Sequence, residues 1–304
     1  MSDGYEALRH RAAWIDLAAR GRILARGRDR ARLLHNVTSN EIKKLAPGQG
    51  CYAFLLTPQG RIQADLHLFC FDDHFLLDTE PELREKVAQL VLKYKVADQV
   101  ELEDVTGRTS AVGVEGPGAS AVLAAVGAPV PGERYAHLPW GAATVANISV
   151  SGQPGYRIFG GGEKISSIEA AGAKHVTGEE VRLVRIEYGV PRMGDDIRDV
   201  SLPQETQQMH AVSFTKGCYI GQEIVERIRA QGHVNKKLVR LAIDAPGTLP
   251  AGTKLTADGK EAGDLTSSVF SPAMGRVAAL AYVRTAYAEQ GTGLRAGDFE
   301  ARVL

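Results

Sequence analysis

The sequence predicts an α+β protein: two α+β lobes and a small C-terminal β-barrel. Three observations lead there. The chain has 304 residues, more than one hydrophobic core supports, so several domains are expected. Before Gly232, strand-like runs alternate with amphipathic helices, the pattern of sheets covered by helices on one face. After Gly232 only short alternating strands remain, broken by Gly and Pro turns, and these suit a barrel. The expected division is 1–232 for two interleaved lobes and 233–304 for the barrel.

Taken in order, Tyr5 to Leu17 reads as a helix leading into a strand at Arg22-Ile23-Leu24-Ala25. Gly27 turns the chain, and Asp29 opens a helical stretch, Arg30 to Asn36. Arg20, Arg22, Arg26, Arg28, Arg30 and Arg32 make this segment basic, which fits a solvated face or an anion-binding surface. Ala53 to Leu56, a turn at Thr57-Pro58-Gln59-Gly60, Ile62 to Phe71 and His74 to Asp78 form an antiparallel meander. Leu83, Val87, Leu90, Val91 and Tyr94 share one helix face that packs on it, and Val100 to Val105 is a closing strand.

A second lobe runs through Ala111 to Gly116, a helix from Pro117 to Val126, and strands near Thr144 to Val150 and Tyr156 to Phe159. Gly160-Gly161-Gly162 lacks the Lys-Ser/Thr of a phosphate loop and the spacing of a dinucleotide fingerprint, so it reads as a turn. Thr177-Gly178-Glu179-Glu180 is a capping box opening a helix that ends near Tyr188-Gly189. The barrel strands are Leu238 to Ile243, a hairpin about Asp258-Gly259, Gly263 to Val269, Ala278 to Val283 and Phe299 to Val303.

Composition narrows the function classes. Lys+Arg and Asp+Glu both number 36, so no global field draws nucleic acid or a membrane surface, and no apolar run is long enough to span a bilayer. Cys51, Cys70 and Cys218 are odd in number and widely spaced. They fit neither a disulfide framework nor a Cys-x-x-Cys metal site, and no metal site is expected. The N-terminus has no apolar signal core, and Asp3, Glu6 and Asp16 argue against a transit peptide. A cytoplasmic protein, complete as written, is the expectation.

The most informative stretch is Lys216 to Glu226, Lys-Gly-Cys-Tyr-Ile-Gly-Gln-Glu-Ile-Val-Glu. Gly217 and Gly221 supply backbone freedom for a tight turn. Ile224, Val225 and Ile228 then mark an amphipathic helix. A cysteine before a helix N-terminus, with Lys216 nearby, is placed to favour the thiolate. The other reading of Cys218 is a small buried hydrophobe. The string Lys216-Gly217-Cys218-Tyr219-x-Gly221-Gln222-Glu223 resembles the signature of the YgfZ-type folate-binding proteins, relatives of the glycine cleavage T-protein (aminomethyltransferase). Ile220 departs, standing where that family usually has a small hydroxyl residue. Val37-Thr38-Ser39-Asn40, Gly48-Gln49-Gly50-Cys51-Tyr52 and Gly263-Asp264-Leu265-Thr266-Ser267 with Ser271-Pro272 are similar to T-protein segments, so the resemblance spans nearly the whole chain.

Arg185-x-Glu187-x-Gly189-x-Pro191, then Gly194-Asp195-Asp196-Ile197 and Leu202-Pro203-Gln204-Glu205, also resembles the T-protein region that lies against the pterin of tetrahydrofolate. A carboxylate there accepts the paired N–H donors of a pterin edge, which makes Glu187, Glu205 and Asp196 the candidates. The other reading pairs these carboxylates with Arg185, Arg192 and Arg198. Arg227, Arg229, His233, Lys236 and Lys237 cluster downstream, as a hold for the anionic tail of a folate or as a solvated charge run.

The resemblance implies two ferredoxin-like, T-protein-like lobes and a barrel around a cleft holding tetrahydrofolate or a one-carbon derivative. Its favoured implication is an accessory factor in iron–sulfur cluster assembly or repair, with Cys218 reactive, Lys216 beside it, and iron–sulfur client or assembly proteins as partners. One cysteine alone does not hold a cluster. The alternative is a folate-dependent one-carbon transferase or demethylase with Glu85 or Asp65 as base; a plain folate-binding scaffold is the third. Leu77-Asp78-Thr79-Glu80-Pro81-Glu82 lacks the Asn-Ala pair of aminomethyltransferases, and Arg61-Ile62-Gln63-Ala64-Asp65 keeps one of their two aspartates. Both departures argue against glycine cleavage.

Overall fold

The computed structural model describes residues 2–304. Ser2 caps helix α1 (Asp3–His10) by accepting from the Tyr5 N–H. The helix stops there, short of the expected Leu17, because the next residues are claimed by a sheet. Strand β1 (Ala13–Asp16) pairs antiparallel with 112–115 and parallel with 174–176.

The chain then crosses to lobe 1. This contains β2 (Gly21–Arg26), α2 (Arg30–Val37), β3 (Gly50–Leu56), β4 (Ile62–Cys70), β5 (His74–Thr79), α3 (Arg84–Lys93) and β6 (Glu101–Asp104), in the sheet order β3-β4-β5-β2-β6. Helix α3 buries Val87 and Val91 on one sheet face, as a 3.6-residue apolar period requires.

Returning to lobe 2, the chain forms β7 (Ala111–Glu115), α4 (Ala119–Ala125), β8 (His137–Trp140), β9 (Ala143–Ala146), β10 (Gly155–Phe159), α5 (Ile165–Ala170) and β11 (Lys174–Val176). The sheet order is β11-β1-β7-β10-β9-β8, so the first strand of the chain completes the second lobe. The strand expected to reach Val150 ends at Ala146. Beyond it the Val150 and Ser151 N–H groups donate to the buried Glu115 carboxylate at 2.8 and 3.0 Å instead of to a neighbouring strand.

Helix α6 (Gly178–Tyr188) begins with the Thr177–Glu180 capping box and packs Ile186 on Val269 and Ala278 of the barrel. After α7 (Gln222–Gln231), the strands β12 (Lys236–Ile243), β13 (Lys254–Ala257), β14 (Lys260–Ser271), β15 (Arg276–Arg284), β16 (Gly293–Ala296) and β17 (Phe299–Val303) close into a six-stranded barrel. Its core is aliphatic, with Leu241, Leu255, Leu265 and Val277.

The two lobes share a core rather than merely touching. Phe54 and Phe69 of lobe 1 belong to one cluster with Ile15, Phe159 and Val184, and the Phe69 and Phe159 rings meet edge-to-face at 5.3 Å. Sharing an apolar core fixes the distance between the two sheets, and with it the walls of the space between them.

Candidate functional site

Between the lobes lies a cavity of about 610 Å³, a size typical of small-molecule sites. Lobe 1 contributes Tyr52, Asp65 and His67, and lobe 2 contributes Ile15, Asp16, Val150 and Val176. The start of α6 and the segment 190–195 close one side, and Tyr135 and His210 another.

Asp65 and His67 sit on β4 two residues apart, so both face the cavity, and Tyr52 lies opposite His67 on β3. The Tyr52 hydroxyl donates to Asp65 Oδ2 at 2.7 Å. Asp65 Oδ1 has no protein partner although the residue is only 9% exposed. Burial, aided by the nearby Glu80 charge, pushes the Asp65 carboxyl up to about 6. Burial pushes His67 down to about 4 despite Asp78 beside it, so its ring is neutral at pH 7. Burial, reinforced by Arg134, does the same to His210. The rings of Tyr52, His67, Tyr135 and His210 form a continuous wall, with neighbouring centroids 4.9 to 6.5 Å apart.

Behind this wall, alternating charges run from one lobe to the other and on to the barrel. Asp78, fully buried on β5, accepts from Arg20 at 3.0 Å and from Arg157 of β10. Arg20 also donates to Glu80, and Glu80 accepts from Arg192 at 2.9 Å. Arg185 donates to Asp196 at 2.6 Å, and Thr266 of the barrel donates to the same carboxylate at 2.6 Å. The arginine-rich segment is therefore mixed in role. Arg20 and Arg22 are buried, and the Arg22 guanidinium donates to the carbonyls of Leu17, Ala18, Arg20, Thr106 and Thr109. A basic sequence run cannot distinguish such internal ties from a solvated face.

The Lys216–Glu223 string forms a clip outside the cavity. Lys216 is buried, and its ammonium donates to the carbonyls of His35, Thr38 (2.6 Å) and Asn40 (2.8 Å). Burial lowers its pKa to about 8. The Tyr219 ring is buried 4.8 Å from the Lys216 Nζ. Gly221 is left-handed at φ 84°, and a Cβ there would lie 2.6 Å from the Thr57 carbonyl oxygen, so only glycine lets α7 dock on the β3–β4 turn. Gly217 has ordinary backbone and open space around it, and so carries no such demand. Cys218 is exposed, Gln222 is half-buried, and Glu223 is exposed and pairs with Arg227 at 2.7 Å. Lys216→Met should therefore loosen the 35–40 segment and cost about 3 kcal/mol, read as a lower urea midpoint, because three carbonyls lose a charged donor.

None of the proposed pterin carboxylates lines the cavity. Glu187 accepts from Tyr5 (2.9 Å), Arg9 (2.6 Å) and Ser271 (2.5 Å), joining α1, α6 and the barrel. Asp196 is held by Arg185, the Arg192 N–H and Thr266. Glu205 folds back to accept from the Leu202 N–H at 3.0 Å. Arg229 pairs with Glu226 on the exposed face of α7, as Arg227 does with Glu223. Glu85 is exposed, whereas Asp65 reaches the cavity.

Sequence reasoning missed Tyr52, His67, Glu80, Tyr135 and His210. One signal was available for part of the wall: Asp65-x-His67 puts two ionisable groups on one face of a strand that, Gln63 apart, is otherwise apolar. The link to residues near 135 and 210 leaves no local trace. The Val37–Asn40 stretch supplies part of that link, since the Asn40 amide donates to the Tyr52 and His210 carbonyls at 2.8 and 2.9 Å.

Residues 1–216 match the GCVT N-terminal domain, and residues 236–303 match the glycine cleavage T-protein C-terminal barrel domain. A chloroplastic protein of Arabidopsis thaliana named as a transferase is 27% identical over 93% of this chain and 68% of its own length. The aminomethyltransferase of Rubrobacter xylanophilus is 28% identical over 92% of this chain and 78% of its own. Among solved structures, the glycine cleavage system aminomethyltransferase T of Bartonella henselae superposes with a TM-score of 0.88 at 20% identity. That match covers 99% of this chain and 87% of the other, and it shows the shared fold.

Proposed function

This chain belongs to the family of the GCVT N-terminal domain with a T-protein C-terminal barrel, and from that premise we propose that it binds tetrahydrofolate between its lobes and transfers one-carbon units, with Asp65 as the acid/base. The observation that carries this reading is a buried carboxylate with one free oxygen on the wall of a folate-sized cavity. Its pKa of about 6 suits proton exchange near neutrality. The aminomethyltransferase relatives favour it over the accessory-factor reading.

The residues fit the group. Tyr52, Tyr135 and His210 offer flat aromatic faces, Asp65 Oδ1 is a free acceptor for a ring N–H, and Arg134 and Arg182 are cations without carboxylate partners on the same cavity. Tetrahydrofolate, when bound, supplies the nitrogens that take up or release one carbon. Asp65 takes or returns the proton at Oδ1, Tyr52 fixes the other oxygen, and the apolar Ile15, Val150 and Val176 exclude water from the transfer. The test is anaerobic calorimetric titration with tetrahydrofolate. Saturable binding by wild type and by Cys218→Ser is expected, and absence of binding by wild type would sink the reading.

A second reading has its own observation. Cys218 is exposed between the buried Lys216 and Tyr219, where a YgfZ-type factor would present a thiol to iron–sulfur clients, and three free thiols suit a reducing cytoplasm. Cells lacking the protein decide between the two. If Cys218→Ser fails to restore their iron–sulfur enzyme activities while Asp65→Asn restores them, the accessory role is the main one.

A further inference from the structure

Tyr135 breaks two rules at once. It is a non-glycine residue with φ 67°, a left-handed conformation that is strained for a bulky side chain. Its hydroxyl is also without a protein partner while the residue is only 8% exposed, and a buried hydroxyl left unpaired is costly. Neither feature is an accident of a loose loop. The turn is closed by the Ala136 N–H donating to the Glu133 carbonyl at 3.0 Å and by the Tyr135 N–H donating to the Asn147 carbonyl at 2.9 Å. The Asn147 amide in turn donates to the Pro131 and Gly132 carbonyls at 2.9 and 3.0 Å. The backbone is thus tied on both sides of the strained residue.

What the strain achieves is placement. The Tyr135 ring packs 5.8 Å from the His67 ring and 6.5 Å from the His210 ring, with the Arg134 guanidinium 4.9 Å from its centroid, and it lines the same cavity as Asp65. Burial, opposed by Arg134, pushes the phenol up to about 12, so it remains a donor at every physiological pH. Asp65 Oδ1 is an acceptor without a partner. The wall of the cavity therefore holds one buried donor and one buried acceptor that the protein itself leaves unused.

Building on the folate reading above, we propose that Tyr135 is a ligand-contacting, specificity-determining residue whose phenol donates to an acceptor atom of the bound tetrahydrofolate, while Asp65 accepts from an N–H of the same molecule. A bound molecule with only donors, or only acceptors, would leave one of the two groups unsatisfied, and this is how buried polar pairs discriminate.

Tyr135→Phe removes the hydroxyl and keeps the ring. In anaerobic calorimetry with tetrahydrofolate the variant should bind about tenfold more weakly than wild type, the loss typical of one neutral hydrogen bond. Its thermal midpoint without ligand should equal or exceed that of wild type. In protein labelled with ¹³C at the tyrosine Cζ, the resonance missing from the variant should move when wild type is saturated. Equal affinities with an unmoved resonance would overturn the proposal while leaving folate binding intact. No binding by wild type would overturn the folate reading and this proposal together.

Discussion

Asp65→Asn should lower one-carbon transfer by roughly 100- to 10,000-fold, the range for removing a positioned acid/base, while raising thermal stability at pH 7. The two effects share one cause. Burial lifts the folded pKa from 3.8 to about 6, so the native state holds this proton more tightly than the unfolded chain does. The stability conferred by the protonated form is fully present below about pH 4 and is lost as pH rises through about 6. At pH 7 the ionised carboxylate is a liability of at most ~3 kcal/mol, and an amide escapes it. Denaturation of both proteins from pH 4 to 8 should show wild type losing ground to Asp65→Asn across pH 4 to 6. Tetrahydrofolate affinity should change less than the rate. A variant that is both active and no more stable would remove Asp65 from the chemistry.

The largest structural loss is expected at Asp78. Burial alone would raise its pKa, but Arg157 and Arg20 hold the carboxyl well below the usual carboxylate range. Asp78→Asn leaves two buried guanidinium groups without their shared counter-ion, and breaking a buried pair from one side costs about 3–5 kcal/mol. The urea midpoint should fall accordingly with the slope unchanged. A folded pKa depressed in this way gives stability that is present above the unfolded value near 3.8 and is lost as pH falls, so wild type should lose this contribution in acid while the variant has none to lose. Because Asp78 joins β5 of lobe 1 to Arg157 of lobe 2 and shares Arg20 with Glu80, the variant should also weaken tetrahydrofolate binding. A loss below about 1 kcal/mol, the level of an ordinary exposed pair, would mean that these charges do not hold the lobes together.

Much of the fold was readable because its signals are local. Five apolar positions at helical spacing announced α3, Thr177 and Glu180 announced the start of α6, and alternation with Gly turns announced the barrel. Strands β1, β8, β11 and β16 escaped. Each has at most four residues, too few for alternation to outweigh neighbouring propensity, and each exists only because a partner strand lies beside it. Ala13–Asp16 extends a helical pattern in sequence but is a strand between β7 and β11 in space.

The candidate site divides along the same line. The contiguous Lys216–Glu223 string and the run from Arg185 to Glu205 stood out as motifs in the linear order, but the string lies outside the cavity and Glu187, Asp196 and Glu205 are engaged elsewhere. By itself the sequence determined the α+β class, the terminal barrel and the kinship that points to folate. Which carboxylate is free was decided only by the tertiary structure. Glu187 is engaged by Tyr5 and Arg9 from the far end of the chain, Asp196 by Arg185 and Thr266, and Asp65 alone of these lines the cavity and has a buried oxygen with no protein partner. A carboxylate's availability depends on which cations and donors the fold brings within hydrogen-bond reach, and those partners are set by packing between lobes rather than by spacing along the chain.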